Sequence, residues 1–417
     1  MYQCAKGRVR DKIESFARFG AAGNGGVTRF SLSKEALAAR REFAERMAAI
    51  GAEITTDDMA NMYAVLPGSE AGLQRIVMGS HADSVRNGGN YDGILGVIAA
   101  MEVLESIALE NIPHRHPLAA MIWTNEEGAL YPPAMMSSGV VCGKFTKALA
   151  LASKAVFPAG GPQSRSGTFG EALAASGFAG DEKNRLNPKD YCAMLELHIE
   201  QGPVLEAAKK TIGVVDGVVG MFNYRIQTRG QADHAGTTPM SFRRDALLAA
   251  ADAIKWIHAE LDKLGEQSLV YTTGEIMLRP NVHTVIPGEV EFSLDVRHWD
   301  PAVLAKALEI VKGIPREFDK CPVSYREAWS RKRCEFDSKL VGLVEKNARE
   351  LGCSYMTMHS GPGHDAQYVS GMLPAAMIFV PSRDGRSHCE EEFTSLDDAW
   401  AGINVALNTV LDIDRSL

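Results

Sequence analysis

Residues 76–106, IVMGSHADSVRNGGNYDGILGVIAAMEVLES, decide the fold. The apolar run Ile76-Val77-Met78 stops at Gly79 and reads as a buried strand. A polar, glycine-rich loop follows, and 94–106 then reads as a helix. Downstream, 118–124 is the next buried strand and 194–198 another. Upstream, Ala36, Ala39, Phe43, Met47 and Ile50 recur at helical spacing until Gly51 ends the run. Near the C-terminal end the alternation resumes, with a helix at 338–351, a strand at 375–380 and a helix near 396–411. Strands alternating with helices imply an α/β fold, a mostly parallel sheet with helices on its faces. In such sheets the chemistry sits beyond the carboxyl ends of the strands.

The middle of the chain has a different order. Strands are expected at 223–228, 269–277, 290–296 and 323–329, with helices at 244–264 and 301–314, the latter opening on Pro301. This β-α-β-β-α-β order is that of a ferredoxin-like unit. The expected organisation is a catalytic α/β domain formed by 1–212 and 330–417, interrupted by an inserted α+β domain at 213–329. Residues 160–180, rich in Gly and Ser, read as a loop excursion.

The chain has 417 residues, enough for two or three domains and a large core without disulfide staples. The net charge is -8 and no Lys/Arg run occurs, so neither a nucleic-acid nor a membrane partner is expected. The 7 cysteines (Cys4, Cys142, Cys192, Cys321, Cys334, Cys353, Cys389) are odd in number and form no C-x-x-C pair. That argues against thiolate zinc sites and disulfide frameworks and fits a reducing compartment. Residues 1–7 carry no apolar signal core, and no apolar run is long enough to span a bilayer, so a cytoplasmic location is expected.

Four clusters carry candidate chemistry. His81 and Asp83 follow a buried strand, and Asp92 lies in the loop Gly88-Gly89-Asn90-Tyr91-Asp92-Gly93 just before a helix. Asp92 could bridge two metals, or could be a helix cap. The second cluster is Asn125-Glu126-Glu127-Gly128, again at a strand end. Adjacent carboxylates repel unless a cation is present; otherwise this is an exposed acidic turn. The third, Glu196-Leu197-His198-Ile199-Glu200-Gln201-Gly202-Pro203, puts His198 at a strand end, as a ligand or a core histidine. The fourth, Ser387-His388-Cys389-Glu390-Glu391-Glu392, follows the strand at 375–380; the plain alternative is an acidic helix start. Together the four strand ends bring His81, Asp92, Glu127, His198 and His388 to one edge of one sheet. Nitrogen and oxygen ligands without a thiolate suit Zn²⁺, and also Mn²⁺, Co²⁺ or Ni²⁺.

This set, H-x-D, G-G-x-Y-D-G, N-E-E-G, E-x-H-I-E-Q-G-P and S-H, resembles the M20 metallohydrolases. Within them it is similar to the amidase/hydantoinase/carbamoylase branch, which includes N-carbamoyl-L-amino acid hydrolases, β-ureidopropionases and allantoate amidohydrolases. The resemblance runs nearly the whole chain, and E-x-H-I-E-Q-G-P is specific to that branch. It implies a hydrolase of C–N bonds in ureido acids, with two divalent metal ions per subunit and Zn²⁺ foremost. His81, Asp92 and His198 would hold one ion, and Asp92, Glu127 and His388 the other. Asp83 would orient His81, and Glu126 would be the general base acting on water. The resemblance also implies that the inserted domain is a lid that dimerises. Gly230-Gln231-Ala232-Asp233-His234 matches the family's lid motif, so His234 would stabilise the oxyanion. Asn281 would bind substrate, and Arg297 would clamp its carboxylate, where the plain alternative is a surface ion pair. Gln201 and the backbone near Gly363 would complete the pocket. The sequence departs from the pattern at Leu130, where many relatives have Arg; this bears on the pocket wall and so on the substrate subtype.

Other readings carry less. Gly361-Pro362-Gly363-His364-Asp365-Ala366 fits G-x-G-x-x-A, with Asp384 near the spacing of a ribose-binding acid, but Gly371 and Pro374 leave too short a helix for nicotinamide binding. No G-x-S-x-G elbow is present. A peptidase or N-acyl amino acid deacylase is the alternative within the hydrolases. A non-catalytic metal-binding relative would not require Glu126.

Overall fold

The structure, a computed structural model, describes residues 1–156 and 167–417. The chain divides into two compact units, Met1–Gly217 with Glu335–Leu417, and Val218–Cys334. The first is a mixed α/β unit. The order in its nine-stranded sheet runs Glu53–Thr56, Met62–Leu66, Leu118–Trp123, Arg75–His81, Tyr191–Ile199, Ala375–Val380, Ile212–Val218 and Cys334–Glu335, with Tyr355–Ser360 also paired to Ile212–Val218. The four strands from Leu118–Trp123 to Ala375–Val380 pair in parallel, and the flanking strands pair antiparallel. The expected parallel sheet is therefore its central part. Ile212–Val218 belongs to this sheet through its pairing with Ala375–Val380, which carries the first unit past residue 212.

Why these segments form these elements follows from burial. All six residues of Leu118–Trp123 and of Ala375–Val380 are buried, as expected for strands covered on both faces. Helix Ile94–Leu109 is apolar on nearly every side and sits in the main core. The helix Leu396–Ser416 packs beside it. Lys12, on helix Lys6–Ala17, forms a buried ion pair with Glu102 at 2.7 Å. That pins the helix whose N-terminal end carries Asp92.

The strand order reverses around Arg75–His81. The chain passes first to Leu118–Trp123 on one side and then to Tyr191–Ile199 on the other. Such a switch point opens a crevice at the carboxyl ends of the strands.

The second unit has a six-stranded antiparallel sheet over helices Ala246–Asp262 and Pro301–Lys312. Its central order, Cys321–Arg331, Gly220–Arg229, Glu289–His298 and then the Val270–Thr272 and Ile276–Arg279 pair, is the ferredoxin-like arrangement. The strand expected at 269–277 is two short strands, both paired to Glu289–His298.

Residues 160–166 of the expected loop lie outside the described residues. Beyond them, Phe169–Ser176 is a helix rather than loop, started by a capping box between Thr168 and Glu171 and stopped at Gly177 with φ 74°. The helix Asp365–Val369, which begins within Gly361–Ala366, has only 5 residues, and the strand before it is not a neighbour of the strand after it. A dinucleotide-binding βαβ unit is absent there. Among the described residues no helix is long and apolar enough to cross a membrane.

Candidate metal centre

His81 closes the strand Arg75–His81, and His198 is the penultimate residue of Tyr191–Ile199. Each imidazole is fixed through Nδ1. That of His81 lies 2.9 Å from the main-chain oxygen of Asp83, and that of His198 lies 2.9 Å from that of Ile199. A proton on Nδ1 leaves Nε2 with a lone pair that can serve a cation; that of His198 here accepts the Gly93 N–H at 3.2 Å. The two Nε2 atoms face Asp92 Oδ1 at 3.5 and 3.3 Å. Asp92 reaches them because the backbone turns at Gly93, with φ 65°. A Cβ there would lie 2.2–2.4 Å from atoms of the His81 ring. Gly93→Ala should therefore cost about 1–3 kcal/mol of unfolding free energy and displace His81 or Asp92. Chemical denaturation and metal content check this; wild-type values for both would show that the loop tolerates a side chain.

The other Asp92 oxygen faces a second group. His388 Nε2 lies 3.1 Å from Asp92 Oδ2 and 3.5 Å from Glu127 Oε2. In each group, His81–Asp92–His198 and Asp92–Glu127–His388, the three ligand atoms lie within 4.8 Å of one another. The first is wholly buried, whereas the His388 side chain is half exposed.

Electrostatics favour a cation here. Burial first, and then the Asp92 carboxylate, push Glu127 up to about 8. Its Oε1 is buried without a hydrogen-bond partner. The hydrogen bond to Asp92 raises His388 to about 9. Burial would lower His81, but Glu126 and Asp92 outweigh it and hold its pKa well above the ordinary value. Nitrogen and oxygen donors in two groups, a shared carboxylate and an orphaned carboxylate oxygen fit a pair of divalent cations.

Glu126 lies beside the first group, its Oε2 3.7 Å from His81 Nε2. Burial, then Asp365, Glu127 and Asp83, raise its pKa well above the ordinary value, against the pull of His81. Asp83 does not meet His81 through its carboxylate, which is 4.0 Å from Nδ1; the main-chain oxygen makes that contact. The carboxylate instead accepts the N–H groups of Glu126 and Glu127 at 3.3 and 3.2 Å and so fixes the turn carrying both. Gln201, at φ 58°, places Nε2 2.8 Å from Asp92 Oδ2 and 3.3 Å from His388 Nε2. Gly363 lies in the turn between Tyr355–Ser360 and Asp365–Val369.

Several residues around the centre had no role in the sequence reading. Glu196 accepts from Ser80 Oγ at 2.6 Å and Ala366 N at 3.0 Å. Its spacing of two from His198 on one strand was the available signal, since both fall on one face. Arg29 and Arg40 are fully buried behind the ligand loops. Arg29 Nε binds the Ala82 carbonyl at 2.5 Å, and Arg40 Nη2 binds Thr124 Oγ1 at 2.6 Å. Glu392 ends the fourth cluster, and the plain alternative for that cluster, an acidic helix start, does not apply, because the helix begins later, capped by Ser395.

The remaining candidates lie in the second unit. His234 is exposed, its Nδ1 accepting from Gly236 N at 3.0 Å. Asn281 is exposed with φ 57°. Arg297 is half-buried and pairs with Asp295, Nε to Oδ1 at 2.7 Å, an ion pair along its own strand. In the first unit, Leu130 packs in a satellite core with Tyr131, Met136 and Phe169. A buried Leu there contributes packing rather than a charged group.

The profile of peptidase family M20/M25/M40 matches residues 65–412. The chain is 35% identical to an allantoate amidohydrolase of Bacillus subtilis (strain 168), over 95% of each chain. It is 34% identical to an N-carbamoyl-L-amino-acid amidohydrolase of Rhizobium meliloti, over 97% of this chain and 95% of that one. The crystal structure of an amidase of the hydantoinase/carbamoylase family from Burkholderia multivorans superposes with a TM-score of 0.86 at 36% identity, covering 98% of both chains.

Proposed function

The chain belongs to peptidase family M20/M25/M40, and from that premise we propose that it is a metal-dependent amidohydrolase cleaving the C–N bond of N-carbamoyl amino acids or related ureido acids to amino acid, ammonia and CO₂. The observation that carries the reading is Asp92, whose two carboxylate oxygens face two separate ligand groups. His81, Asp92 and His198 would hold one divalent cation, and Asp92, Glu127 and His388 the other, with Zn²⁺ the first choice and Mn²⁺, Co²⁺ or Ni²⁺ able to serve. Such a pair, when bound, polarises a carbonyl and acidifies water. Glu126 Oε2 would take the proton from that water and pass it to the leaving nitrogen. Burial beside other carboxylates supports this role, because it raises the Glu126 pKa and so makes the carboxylate a stronger base than an exposed one. Asp83 would hold the turn of Glu126 and Glu127.

His234, Asn281, Arg297, Gln201 and the backbone near Gly363 are the proposed substrate contacts. The proposal includes a homodimer formed through the second unit as a lid, supported by exposed Val270, Ile276 and Met277 on its outer strands. A cytoplasmic location is supported by the seven scattered cysteines, none of them in a C-x-x-C pair.

Ammonia release over a panel of N-carbamoyl α-amino acids, a β-ureido acid and allantoate, after metal reconstitution, tests the substrate class. Dipeptides and N-acyl amino acids belong in the panel, and preference for them would replace this reading with a peptidase or deacylase. In the same assay Arg297→Lys should raise KM sharply, because lysine keeps the charge but loses the planar fork. The effect should shrink for a substrate whose carboxylate is an amide. An equal effect on both would leave Arg297 only its ion pair with Asp295.

A further inference from the structure

The loop that delivers Asp92 and the loop that delivers His388 are joined by one buried side chain. Glu392 is 3% exposed. Its Oε1 accepts the main-chain N–H groups of Tyr91 and Asp92, both at 3.0 Å. Its Oε2 accepts the Ser387 hydroxyl at 2.8 Å, and that hydroxyl oxygen is also 3.2 Å from Asp92 Oδ2. The carboxylate comes this close only because residue 89 is Gly; a Cβ there would lie 2.1 Å from Glu392 Oε1. Edge-on packing of Tyr91 against Phe393, with ring centroids 5.7 Å apart, holds the same two loops together.

We propose that Glu392 is a positioning residue that sets the separation of Asp92 and His388, and through it the cation affinity of the Asp92–Glu127–His388 group. This rests on the metal reading above. The two ligand groups depend on Glu392 unequally. Asp92 Oδ1 faces two buried imidazoles at the ends of adjacent strands, and each is held through Nδ1 by a main-chain oxygen rather than by Glu392. His388 is half exposed, on a loop with φ 57° at His388 itself, and Ser387 beside it is tied to Glu392. Loss of the tie therefore falls on the second group. Groups that orient metal ligands from behind are typically worth about 10- to 100-fold in affinity.

The test is a stepwise titration of the metal-free, full-length protein with Co²⁺, followed by its visible absorption and by calorimetry. His388→Ala and His198→Ala identify which step belongs to which group. Glu392→Ala should weaken the His388 step about 10- to 100-fold and leave the His198 step unchanged. Glu392→Gln should recover most of the loss, since its amide oxygen can accept both N–H groups and its nitrogen can donate to Ser387. Ser387→Ala should shift the same step in the same direction, and it decides the matter if Glu392→Ala does not fold. Equal weakening of both steps, or of neither, in a wild-type background that binds two cations overturns the positioning role alone. A wild-type chain that binds no Co²⁺ overturns the metal reading with it.

Discussion

Removal of divalent cations with a chelator should abolish turnover, and Zn²⁺, Mn²⁺ or Co²⁺ should restore it as metal content approaches two per chain. The expectation comes from charge as much as from ligand spacing. Asp83, Asp92, Glu126 and Glu127 are crowded at neighbouring strand ends, and three of them are almost fully buried. Burial and Asp92 raise Glu127 to about 8, so without a cation it is protonated for much of the time at neutral pH. Its buried, unpartnered Oε1 costs about 1–3 kcal/mol as a neutral group and more when ionised. A cation between Asp92, Glu127 and His388 removes both penalties, so the loaded protein should also unfold at a higher temperature than the stripped one. Elemental analysis, activity and thermal unfolding on one preparation make the check. Full turnover in protein shown to be metal-free would overturn the proposed chemistry.

The fold was legible wherever burial imposed a period. The all-apolar strand Ala375–Val380 matches its expected bounds, because a strand covered on both faces reads as one continuous apolar run, here bounded by Pro374 and Pro381. Edges were harder. Helix Lys6–Ala17 mixes charges with few apolar residues, and its place depends on the Lys12–Glu102 pair rather than on a strong local pattern. The strand Ile212–Val218 is buried by a partner that lies far along the chain, at 377–379. Around the centre, the candidate ligands could be singled out because they stand at, or in the segments just after, the ends of four strands. What lies behind them could not. No pattern within one loop tells whether Asp83 meets His81 through its carboxylate or its main-chain oxygen. Glu392 and Asp92 are 300 residues apart, and only the assembled sheet brings them together.

Glu126→Gln should lower kcat by about 10²–10⁴ while metal content and KM change little. The amide keeps the size of the side chain and loses the ability to accept a proton, so a selective fall in kcat isolates proton transfer from binding. The adjacent substitution should behave differently. Glu127 Oε2 faces His388 Nε2 at 3.5 Å, so Glu127→Gln should deplete the second cation, and its activity should return in part at high metal concentration. Excess metal should not rescue Glu126→Gln. The two side chains leave one turn, with both main-chain N–H groups held by the Asp83 carboxylate, so a general disturbance of that turn would affect both variants alike. Metal content and kcat measured together separate the possibilities. If Glu126→Gln lost metal and Glu127→Gln kept it, the two neighbours would have exchanged roles. If both lost metal equally, the turn as a whole would be disturbed, and the base would have to be sought elsewhere, starting with buried Asp365, whose charge raises Glu126.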